Sequence, residues 1–385
     1  MERHGTLIIG AGLAGIRTAS TLRSLGYTDP ITLLGDEPHL PYERPALSKD
    51  LLTGTREQSQ LTLMNAETLQ RQRLTLQRGI RVVAIDPEGT ARTDAGTDLQ
   101  WEHLVFATGA RARELPGTGH LSNVCSLRTI DDALRLKSLL TPGARLVIVG
   151  CGFVGAEVAS TAVNIGMDVT VLETAAIPFE QVLGQEVGRV LVDHYRAAGV
   201  KVVTGARVQR VVSQNERATA VEVEHGVRID ADVVLVGIGA IPNDELFHAA
   251  AETQAGRGIP VAHTGQTVLP GVYACGDVAA QHSEHGHVRR TEHWTSAAAT
   301  AITVARSIVG APAPAAAPPY VWSDQFGMRL QIVGHAGNAV HTEIVDSRPE
   351  RLLVRYRNEH GQLLAGLASN RPTDVAQWRQ ELIAA

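Results

Sequence analysis

Cysteine is scarce in this chain, and the spacing of the few cysteines excludes one kind of redox chemistry. The 385 residues include three cysteines, Cys125, Cys151 and Cys275, and no two of them form a C-x-x-C pair. Three cysteines this far apart in sequence, without a C-x-x-C pair, indicate neither a disulfide framework nor a thiol redox couple. We therefore predict that each cysteine behaves as a small buried apolar residue.

Long apolar runs and an excess of positive charge are also missing. No run of about eighteen uncharged apolar residues is present, which argues against a membrane span. The net charge of −5 argues against general nucleic-acid binding. The first residues, "MERHGTLIIGAG", lack the regions of a signal peptide. We expect a cytoplasmic enzyme with neither nucleic acid nor membrane among its partners.

Glycine, by contrast, is abundant. The chain has 37 glycines, 44% hydrophobic residues and 19% charged residues, a composition that favours an α/β protein with many glycine turns. Its length indicates two or three domains.

The first glycine turn lies in a complete strand–helix–strand pattern, "TLIIGAGLAGIRTASTLRSLGYTDPITLLGDE" from Thr6. Gly10, Gly12 and Gly15 supply a tight turn, a close approach of the backbone to a pyrophosphate and close helix–strand packing. The helix N-terminus favours the phosphates. Asp36, at the end of the second strand, can accept hydrogen bonds from ribose hydroxyls.

The same pattern recurs from Arg145 as "RLVIVGCGFVGAEVASTAVNIGMDVTVLE", with Gly150, Gly152 and Gly155 in the turn and Glu173 at the strand end. Two such units predict two bound dinucleotides. Glu173 would accept hydrogen bonds from a free ribose 2′-hydroxyl and repel a 2′-phosphate. No Arg or Lys follows in "TAAIPFEQ", so we expect NADH to be preferred over NADPH.

Further motifs carry a family resemblance. They are "LVFATGA" from Leu104, "VLVGIGAIPN" from Val234 and "GVYACGDVA" from Gly271. With the two glycine turns, they make the chain resemble the two-dinucleotide-binding flavoproteins of the glutathione-reductase class. "PYERPALSKDLL" and "YVWSDQ" narrow the resemblance to the FAD-dependent NAD(P)H:ferredoxin reductase family, of the putidaredoxin reductase, rhodocoxin reductase and dioxygenase reductase-component type. The implied fold is α/β, with a small C-terminal α+β domain.

The resemblance also implies the domain boundaries. A discontinuous FAD-binding domain would cover residues 1–110 and 241–312, with an NADH-binding domain inserted at 111–240. "GAPAPAAAPP", from Gly310 to Pro319, is a Pro/Ala-rich linker. A C-terminal domain at 320–385, ending in a helix from about Thr373, would cover the flavin.

The cofactor-binding residues follow from the glycine turns and from the resemblance. Asp36 would hold the FAD ribose, Val82 the adenine, Arg128 the phosphates and Asp277 the ribitol chain, and a helix starting near Trp294 would direct its N-terminus to the flavin. The full FAD set is Gly10, Gly12, Ala14, Gly15, Asp36, Arg44, Lys49, Val82, Ala107, Thr108, Gly109, Arg128, Gly276, Asp277 and Trp294. The NADH set is Gly150, Gly152, Phe153, Val154, Gly155, Glu157, Glu173 and Gly239.

Relatives in the wider class carry a redox cysteine in the loop that reads "HLPYERPALSKD" in this chain. Without that thiol, one-electron transfer from the reduced flavin is the expected outlet. We predict that Lys49 and Glu157 act in catalysis, as a partly buried ion pair that orients the flavin and the nicotinamide for hydride transfer. The alternative is a surface lysine in a polar loop.

The expected activity is that of an FAD-dependent NADH:ferredoxin oxidoreductase. A hydride would pass from NADH to FAD, and single electrons would then pass to a [2Fe-2S] ferredoxin that serves a monooxygenase or a dioxygenase. A flavin NADH oxidase or peroxidase is a second interpretation, and an NADH-responsive interaction protein like apoptosis-inducing factor is a third. The chain would act as a monomer or weak homodimer.

The sequence does not decide the role of Trp322 or the position of a docking surface. Trp322 has either a core role or a place where the partner docks. The arginines that could bind an acidic ferredoxin are interspersed with acids; they are Arg289, Arg290, Arg329, Arg348, Arg351, Arg355 and Arg357. The three histidines of "QHSEHGHVRR", His282, His285 and His287, are interpreted as part of an exposed hairpin, and no metal site is predicted there.

Overall fold

A computed structural model describes residues 5–282, 288–315 and 317–384. The helices in these residues are α1 (Leu13–Ser24), α2 (Asp50–Thr53), α3 (Ala66–Arg71), α4 (Ile130–Leu139), α5 (Phe153–Ile165), α6 (Glu180–Leu183), α7 (Gln185–Ala197), α8 (Glu245–Ala250), α9 (Trp294–Ile308) and α10 (Pro372–Ala384). None of them combines the length and the hydropathy needed to cross a membrane.

The strands of the first half are β1 (Thr6–Ile9), β2 (Ile31–Gly35), β3 (Thr75–Arg78), β4 (Val82–Asp86), β5 (Thr90–Thr93), β6 (Asp98–Gln100), β7 (His103–Phe106), β8 (Ala110–Ala112), β9 (Val124–Cys125), β10 (Arg145–Val149), β11 (Asp168–Glu173) and β12 (Lys201–Thr204). Those of the second half are β13 (Val208–Gln214), β14 (Arg217–Val223), β15 (Arg228–Asp230), β16 (Val233–Val236), β17 (Ala240–Pro242), β18 (Ile259–Val261), β19 (Val272–Ala274), β20 (Ala279–His282), β21 (Val288–Arg290), β22 (Tyr320–Gln325), β23 (Met328–Gly334), β24 (His341–Asp346), β25 (Leu353–Arg357) and β26 (Leu363–Ser369).

The chain divides into two compact units. The first contains the described residues of Met1–Glu43, Ser59–Arg111 and Ala240–Ala316, and the second contains those of Arg44–Gln58, Ala112–Gly239 and Ala317–Ala385. The short segment Arg44–Gln58 therefore belongs to the second unit.

The first unit is built on a parallel sheet in the order β19-β7-β1-β2-β3. Its central strand β1 is a run of four buried residues, "TLII", as a strand covered on both faces requires. The predicted strand–helix–strand unit is confirmed, because β1 and β2 run parallel on either side of α1 in the chain. The unit also contains a small antiparallel sheet, β4-β5-β6, and a small mixed sheet, β18-β20-β21, in which β18 and β20 are parallel and β20 and β21 are antiparallel.

Helices α1 and α9 pack together in the core of the first unit. The predicted helix near Trp294 is confirmed and runs to Ile308. Small buried side chains, among them Ala19, Ala301 and Ala305, line the contact region, which allows the two helix backbones to approach closely. Both helices therefore contribute side chains to one core.

The second unit repeats the parallel arrangement in the order β12-β11-β10-β16-β9. Strand β10, "RLVIV", is buried over its last four residues, and α5 follows it directly. The second predicted strand–helix–strand unit is confirmed by the parallel pairing of β10 with β11. An antiparallel sheet β13-β14-β15 packs into the same core.

The C-terminal residues form an antiparallel sheet in the order β22-β23-β26-β25-β24. Helix α10 packs on it through Trp378, and a methyl group at Gly366 would lie 2.1 Å from the indole ring. A glycine is therefore required in the middle of β26. The helix predicted from about Thr373 is confirmed and begins at Pro372.

Candidate functional site

The first glycine turn has the geometry that its sequence predicts. Gly10 has φ +108, and a methyl group there would lie 2.1 Å from the carbonyl oxygen of Ala107. A methyl group at Gly15 would lie 2.0 Å from the carbonyl oxygen of Gly10. Gly12 is different, because a methyl group there would meet no protein atom within 4 Å. Gly10 and Gly15 are thus required by the fold, and Gly12 keeps a space open beside the turn.

Helix α1 begins at this turn and offers its N-terminus to an anion. Gly12 is the N-cap, no side chain caps the helix, and no acidic side chain lies in the first turn. Unpaired backbone N–H groups and the helix dipole favour a phosphate at such an end. Asp36, at the end of β2, is exposed, with Arg81 Nη2 3.6 Å from its carboxylate. This cradle fits the pyrophosphate and ribose of FAD.

Most other residues predicted to bind FAD also lie in the first unit. Thr108 Oγ1 donates to the carbonyl oxygen of Asn243 at 2.7 Å, and Asn243 Nδ2 donates to the carbonyl oxygen of Thr108 at 2.9 Å. These reciprocal bonds fix the segment of Ala107, Thr108 and Gly109. The buried Ala14 lies in the first turn of α1.

Gly276 and Asp277, the "GD" of the motif "GVYACGDVA", lie against helix α9. The Gly276 N–H donates to Thr300 Oγ1 at 3.0 Å, and Gly276 has φ +73. Asp277 is half-buried beside it, and Trp294 is the first residue of α9. Val82 is 7% exposed and its side chain packs in the core. Contact of Val82 with an adenine stays a prediction.

The second glycine turn repeats the geometry of the first. Gly150 has φ +101, and a methyl group at Gly155 would lie 2.4 Å from the carbonyl oxygen of Gly150. Gly152 is the uncapped N-cap of α5, and a methyl group there would meet nothing within 4 Å. Phe153 and the exposed Val154 form the first turn of α5. The turn fits the pyrophosphate of NADH.

Glu173 ends β11 next to this turn. Its carboxylate accepts hydrogen bonds from the backbone N–H groups of Cys151 at 2.8 Å and Ala175 at 2.9 Å. These bonds hold the carboxylate beside the glycine turn, where a ribose is expected. Gly239, with φ +100, is exposed.

Lys49 and Glu157 form the predicted ion pair. Lys49 Nζ lies 2.8 Å from Glu157 Oε1, and the two side chains are 18% and 8% exposed. The interpretation of Lys49 as an exposed lysine in a polar loop is wrong. Glu157 lies on α5, two residues after Gly155 of the glycine turn. The catalytic role of the pair stays a prediction.

Three further donors to Glu157 were missed by the sequence analysis. Ser48 Oγ donates to Oε2 at 2.5 Å, Ser323 Oγ donates to Oε1 at 2.8 Å, and the Asp324 N–H lies 3.3 Å from Oε1. The Asp324 carboxylate also lies 3.7 Å from Lys49 Nζ. The motifs "PYERPALSKDLL" and "YVWSDQ" contain these residues, but nothing in either motif indicates a common partner.

Arg44 and Arg128 lie together in the second unit. Arg44 Nη1 donates to the carbonyl oxygen of Arg128 at 2.6 Å. The Arg128 N–H donates to Asp132 at 3.0 Å, beside the capping box of Thr129 and Asp132 that begins α4. Their contacts with FAD stay predictions.

Trp322 is half-buried on β22. Its ring stacks on Tyr320, with centroids 6.1 Å apart, and the guanidinium of Arg329 lies 5.9 Å from its centroid. Several predicted docking arginines pair with acids: Arg290 with Glu292, Arg329 with Asp324, Arg348 with Asp346, and Arg355 and Arg357 with Glu343. The interspersed acids thus offset much of the positive charge. The side chain of Arg289 lies outside the described residues.

The histidine motif is only partly described. His282 ends β20, which pairs with β21, but its side chain and the residues His285 and His287 lie outside the described part of the chain. Among the residues that are described, no group of three His, Cys, Asp or Glu side chains could hold a metal ion.

All three cysteines are free and buried, as predicted. Cys125, Cys151 and Cys275 are 4%, 2% and 0% exposed. Burial raises the pKa of Cys125, and it raises the pKa of Cys151 and of Cys275 to about 12. The thiolate is the reactive form of cysteine, so these side chains are inert packing residues.

Comparison with protein families agrees with the two-turn architecture. Residues 4–301 match the model described as pyridine nucleotide-disulphide oxidoreductase. Residues 320–385 match the model described as reductase C-terminal.

Individual relatives cover almost the whole chain. The ferredoxin–NAD(+) reductase component of the p-cumate 2,3-dioxygenase system of Pseudomonas putida is 34% identical over 97% of this chain and 92% of its own. The corresponding component of the biphenyl dioxygenase system of Paraburkholderia xenovorans is 38% identical over 92% of this chain and 84% of its own. Among solved structures, the covalent putidaredoxin reductase–putidaredoxin complex matches with a TM-score of 0.93 and 34% identity, over 98% of this chain and 92% of the other.

Proposed function

The chain belongs to the pyridine nucleotide-disulphide oxidoreductase family, and we propose that it is an FAD-dependent NADH:ferredoxin oxidoreductase. Its relatives are named as ferredoxin–NAD(+) reductase components of oxygenase systems. The observation that carries the proposal is the presence of two uncapped glycine-turn helices, one in each unit, in a chain whose three thiols are all enclosed by protein.

FAD, when bound, supplies the redox chemistry, because a flavin can accept two electrons as a hydride and release them one at a time. The chain contributes binding and orientation. Gly12 and the N-terminus of α1 receive the FAD pyrophosphate, and Asp36 receives its ribose. In the second unit, Gly152 and α5 receive the NADH pyrophosphate, and Glu173 accepts from the adenosine ribose.

Lys49 and Glu157 position the nicotinamide in this proposal. An ion pair with additional hydrogen bonds has little rotational freedom, so it can hold a ring in the orientation that hydride transfer requires. The four donors to Glu157, from Ser48, Lys49, Ser323 and Asp324, compensate for the burial of its charge. No proton has to be moved by the protein.

The electron acceptor is a [2Fe-2S] ferredoxin that serves a monooxygenase or dioxygenase. A reductase that passed electrons to sulfur would need a cysteine in contact with the flavin, and a side chain 0–4% exposed offers its sulfur to no bound molecule. The same absence of an accessible thiol disfavours the peroxidase alternative. Free thiols are usual in the cytoplasm, and we place the protein there.

Rapid mixing tests the proposal. The FAD-loaded protein is mixed with NADH anaerobically, and the flavin absorbance is followed. The reduced protein is then mixed with oxidised [2Fe-2S] ferredoxin, with oxygen or with peroxide. We expect NADH to bleach the flavin quickly and ferredoxin to reoxidise it faster than oxygen or peroxide does. Rapid reoxidation by oxygen or peroxide, with ferredoxin inert, would contradict the proposal.

A further inference from the structure

The tip of the β22–β23 hairpin, Gln325, Phe326 and Gly327, is anchored between helices α5 and α7. The Phe326 N–H donates to Ser160 Oγ at 2.7 Å, and His194 Nε2 lies 3.1 Å from the Phe326 carbonyl oxygen. The ring centroids of Phe326 and Tyr195 lie 4.7 Å apart. Strand β22 is therefore fixed against α5, the helix that carries Glu157.

Phe326 adopts an unfavourable backbone conformation at this tip. Its φ is +48, in the left-handed region, which a bulky aromatic residue seldom adopts. Such a conformation persists only where the surrounding contacts stabilise it. The contacts with Ser160, His194 and Tyr195 stabilise it here.

A directed chain of hydrogen bonds runs from the anchor to the buried carboxylate. The hydroxyl of Tyr195 donates to Gln325 Oε1, Gln325 Nε2 donates to Ser323 Oγ at 3.0 Å, and Ser323 Oγ donates to Glu157 Oε1 at 2.8 Å. Tyr195 and Ser323 are each 1% exposed, Gln325 is 2% exposed and Glu157 is 7% exposed. Because every bond points the same way, each donor polarises the next toward the carboxylate.

Attachment of the hairpin to the helices does not by itself require this series of hydrogen bonds. The bond of Phe326 to Ser160 and the stacking on Tyr195 already attach the hairpin to α5 and α7. The additional bonds end on the Glu157 carboxylate, which also forms the 2.8 Å ion pair with Lys49. They leave Oε1 of Glu157 with donors from both sides, Lys49 on one segment and Ser323 on another, so the carboxylate cannot rotate freely.

We propose that Ser323 is a positioning residue for hydride transfer, which holds the Glu157 carboxylate against Lys49, and that Gln325 and Tyr195 hold Ser323 in turn. The C-terminal strand β22 is then part of the nicotinamide site. This inference rests on the proposed function, in which Glu157 positions NADH.

The test compares Ser323→Ala with a matched control in the same sheet. Ser369 is 0% exposed, and its hydroxyl has no hydrogen-bond partner among the described residues. Ser369→Ala therefore removes a buried hydroxyl of the same kind without affecting Glu157. Both variants are prepared as FAD-loaded holoproteins, and thermal unfolding is measured to monitor the fold.

Two readouts are taken: the rate constant of flavin reduction at saturating NADH, and the affinity of the oxidised holoprotein for NAD+ by calorimetry. For Ser323→Ala we expect about a three- to tenfold loss in each, from the lost bond to a charged acceptor. Ser369→Ala should stay within about twofold of the wild type. Ser323→Thr, which keeps the hydroxyl, should restore both values.

A double variant decides whether Ser323 acts through Glu157. In the Glu157→Gln background, the further change Ser323→Ala should slow flavin reduction by less than about twofold, because coupled residues are not additive. An undiminished effect in that background, or wild-type behaviour of Ser323→Ala alone, would overturn the inference.

Tyr195→Phe provides a second variant if Ser323→Ala folds poorly. It keeps the ring on Phe326 and removes only the hydroxyl that donates to Gln325 Oε1. We expect flavin reduction to slow by about three- to fivefold, more than in Ser369→Ala. Wild-type rates in Tyr195→Phe would remove Tyr195 and Gln325 from the inference. A wild-type protein that NADH does not reduce at all would instead overturn the proposed function.

Discussion

Lys49 Nζ and Glu157 Oε1 lie 2.8 Å apart, although 108 positions separate the two residues in the chain. The pair connects the segment Arg44–Gln58 to the first turns of α5, directly after the second glycine turn. A buried carboxylate is costly unless it is paired and hydrogen-bonded. The position of this carboxylate directly after the second glycine turn supports the proposed role of the pair in orienting the nicotinamide.

Replacing Lys49 by Met should slow hydride transfer. Thermal unfolding is measured alongside, because Glu157 loses its ion pair and keeps only the donors of Ser48, Ser323 and Asp324. Methionine keeps most of the side-chain volume and removes the charge that orients Glu157. We expect flavin reduction at saturating NADH to slow by about ten- to a hundredfold, as small misplacements of reacting groups do. Stopped-flow absorbance measures the rate.

Lys201→Met is the matched control for this substitution. Lys201 also forms an ion pair, with Asp168 at 2.9 Å, but the two side chains are 64% and 46% exposed. Exposed pairs contribute little, so this variant should reduce its flavin at the wild-type rate. Equal rates of flavin reduction in Lys49→Met and Lys201→Met would show that Lys49 has no role in hydride transfer.

Substitution of Gly12 should affect the binding of FAD, and substitution of Gly152 should affect the binding of NADH. A methyl group at Gly12 or Gly152 meets no protein atom within 4 Å, so alanine there should leave the fold intact. Both glycines are helix N-caps, where alanine is less favourable than glycine, so a loss of up to about 1 kcal/mol in unfolding free energy is compatible with this expectation. The methyl group would occupy the space where a pyrophosphate approaches. We expect Gly12→Ala to weaken FAD binding and Gly152→Ala to weaken NADH binding, each by about tenfold or more.

Calorimetry with each nucleotide checks this prediction, and Gly155→Ala is its control. A methyl group at Gly155 would lie 2.4 Å from the carbonyl oxygen of Gly150, so this variant should lose about 1–3 kcal/mol of unfolding free energy. If Gly152→Ala weakened FAD and NADH alike, the assignment of one nucleotide to each turn would be wrong.

Local patterns made the nucleotide-binding units predictable. The glycine spacing and the apolar strands of Thr6–Ile9 and Arg145–Val149 depend on neighbouring residues, and both units have the predicted parallel topology. Helix α9 was predictable for the same reason, since its start at Trp294 and its end before Gly310 follow from adjacent residues.

Long-range contacts were predictable only where the family resemblance supplied them. It suggested the partner of Lys49, but Ser48 and Ser323 reach Glu157 across 109 and 166 positions, and no local pattern encodes that approach. The left-handed conformation of Phe326 was equally hidden, because it depends on tertiary contacts with α5 and α7 rather than on the preference of phenylalanine.

Glu173 should set the preference for NADH over NADPH. Its carboxylate is held beside the second glycine turn by the N–H groups of Cys151 and Ala175. Glu173→Gln removes the charge that repels a 2′-phosphate and keeps one acceptor oxygen. We expect the ratio of kcat/KM for NADH to that for NADPH to fall by about tenfold, mostly through better use of NADPH.

Steady-state kinetics with both nucleotides measures this ratio. Glu186→Gln, an exposed acid on α7, serves as the control and should leave the ratio unchanged. A ratio that is the same in Glu173→Gln and the wild type would exclude Glu173 as the discriminating residue.

The native protein should present no reactive thiol. Burial raises the pKa of Cys151 and Cys275 to about 12 and also raises that of Cys125. A thiol with a raised pKa stays protonated below that value, so at about pH 8 none of the three should react with a thiol-specific reagent. All three should react after denaturation, when their pKa values return to the ordinary range.

Spectrophotometric thiol titration of the FAD-loaded protein, before and after denaturation, counts the reactive groups. A thiol that reacts rapidly in the native protein, and whose modification abolishes reoxidation of the flavin, would reveal a sulfur in the electron path. That result would favour the oxidase or peroxidase interpretation.

The most direct test of the central claim is cytochrome c reduction by NADH in the presence and absence of a [2Fe-2S] ferredoxin. We predict that the FAD-loaded protein reduces cytochrome c rapidly only when ferredoxin is added, while oxygen is consumed slowly. Cytochrome c reduction that is independent of ferredoxin, or NADH oxidation driven by oxygen at the same rate, would contradict it.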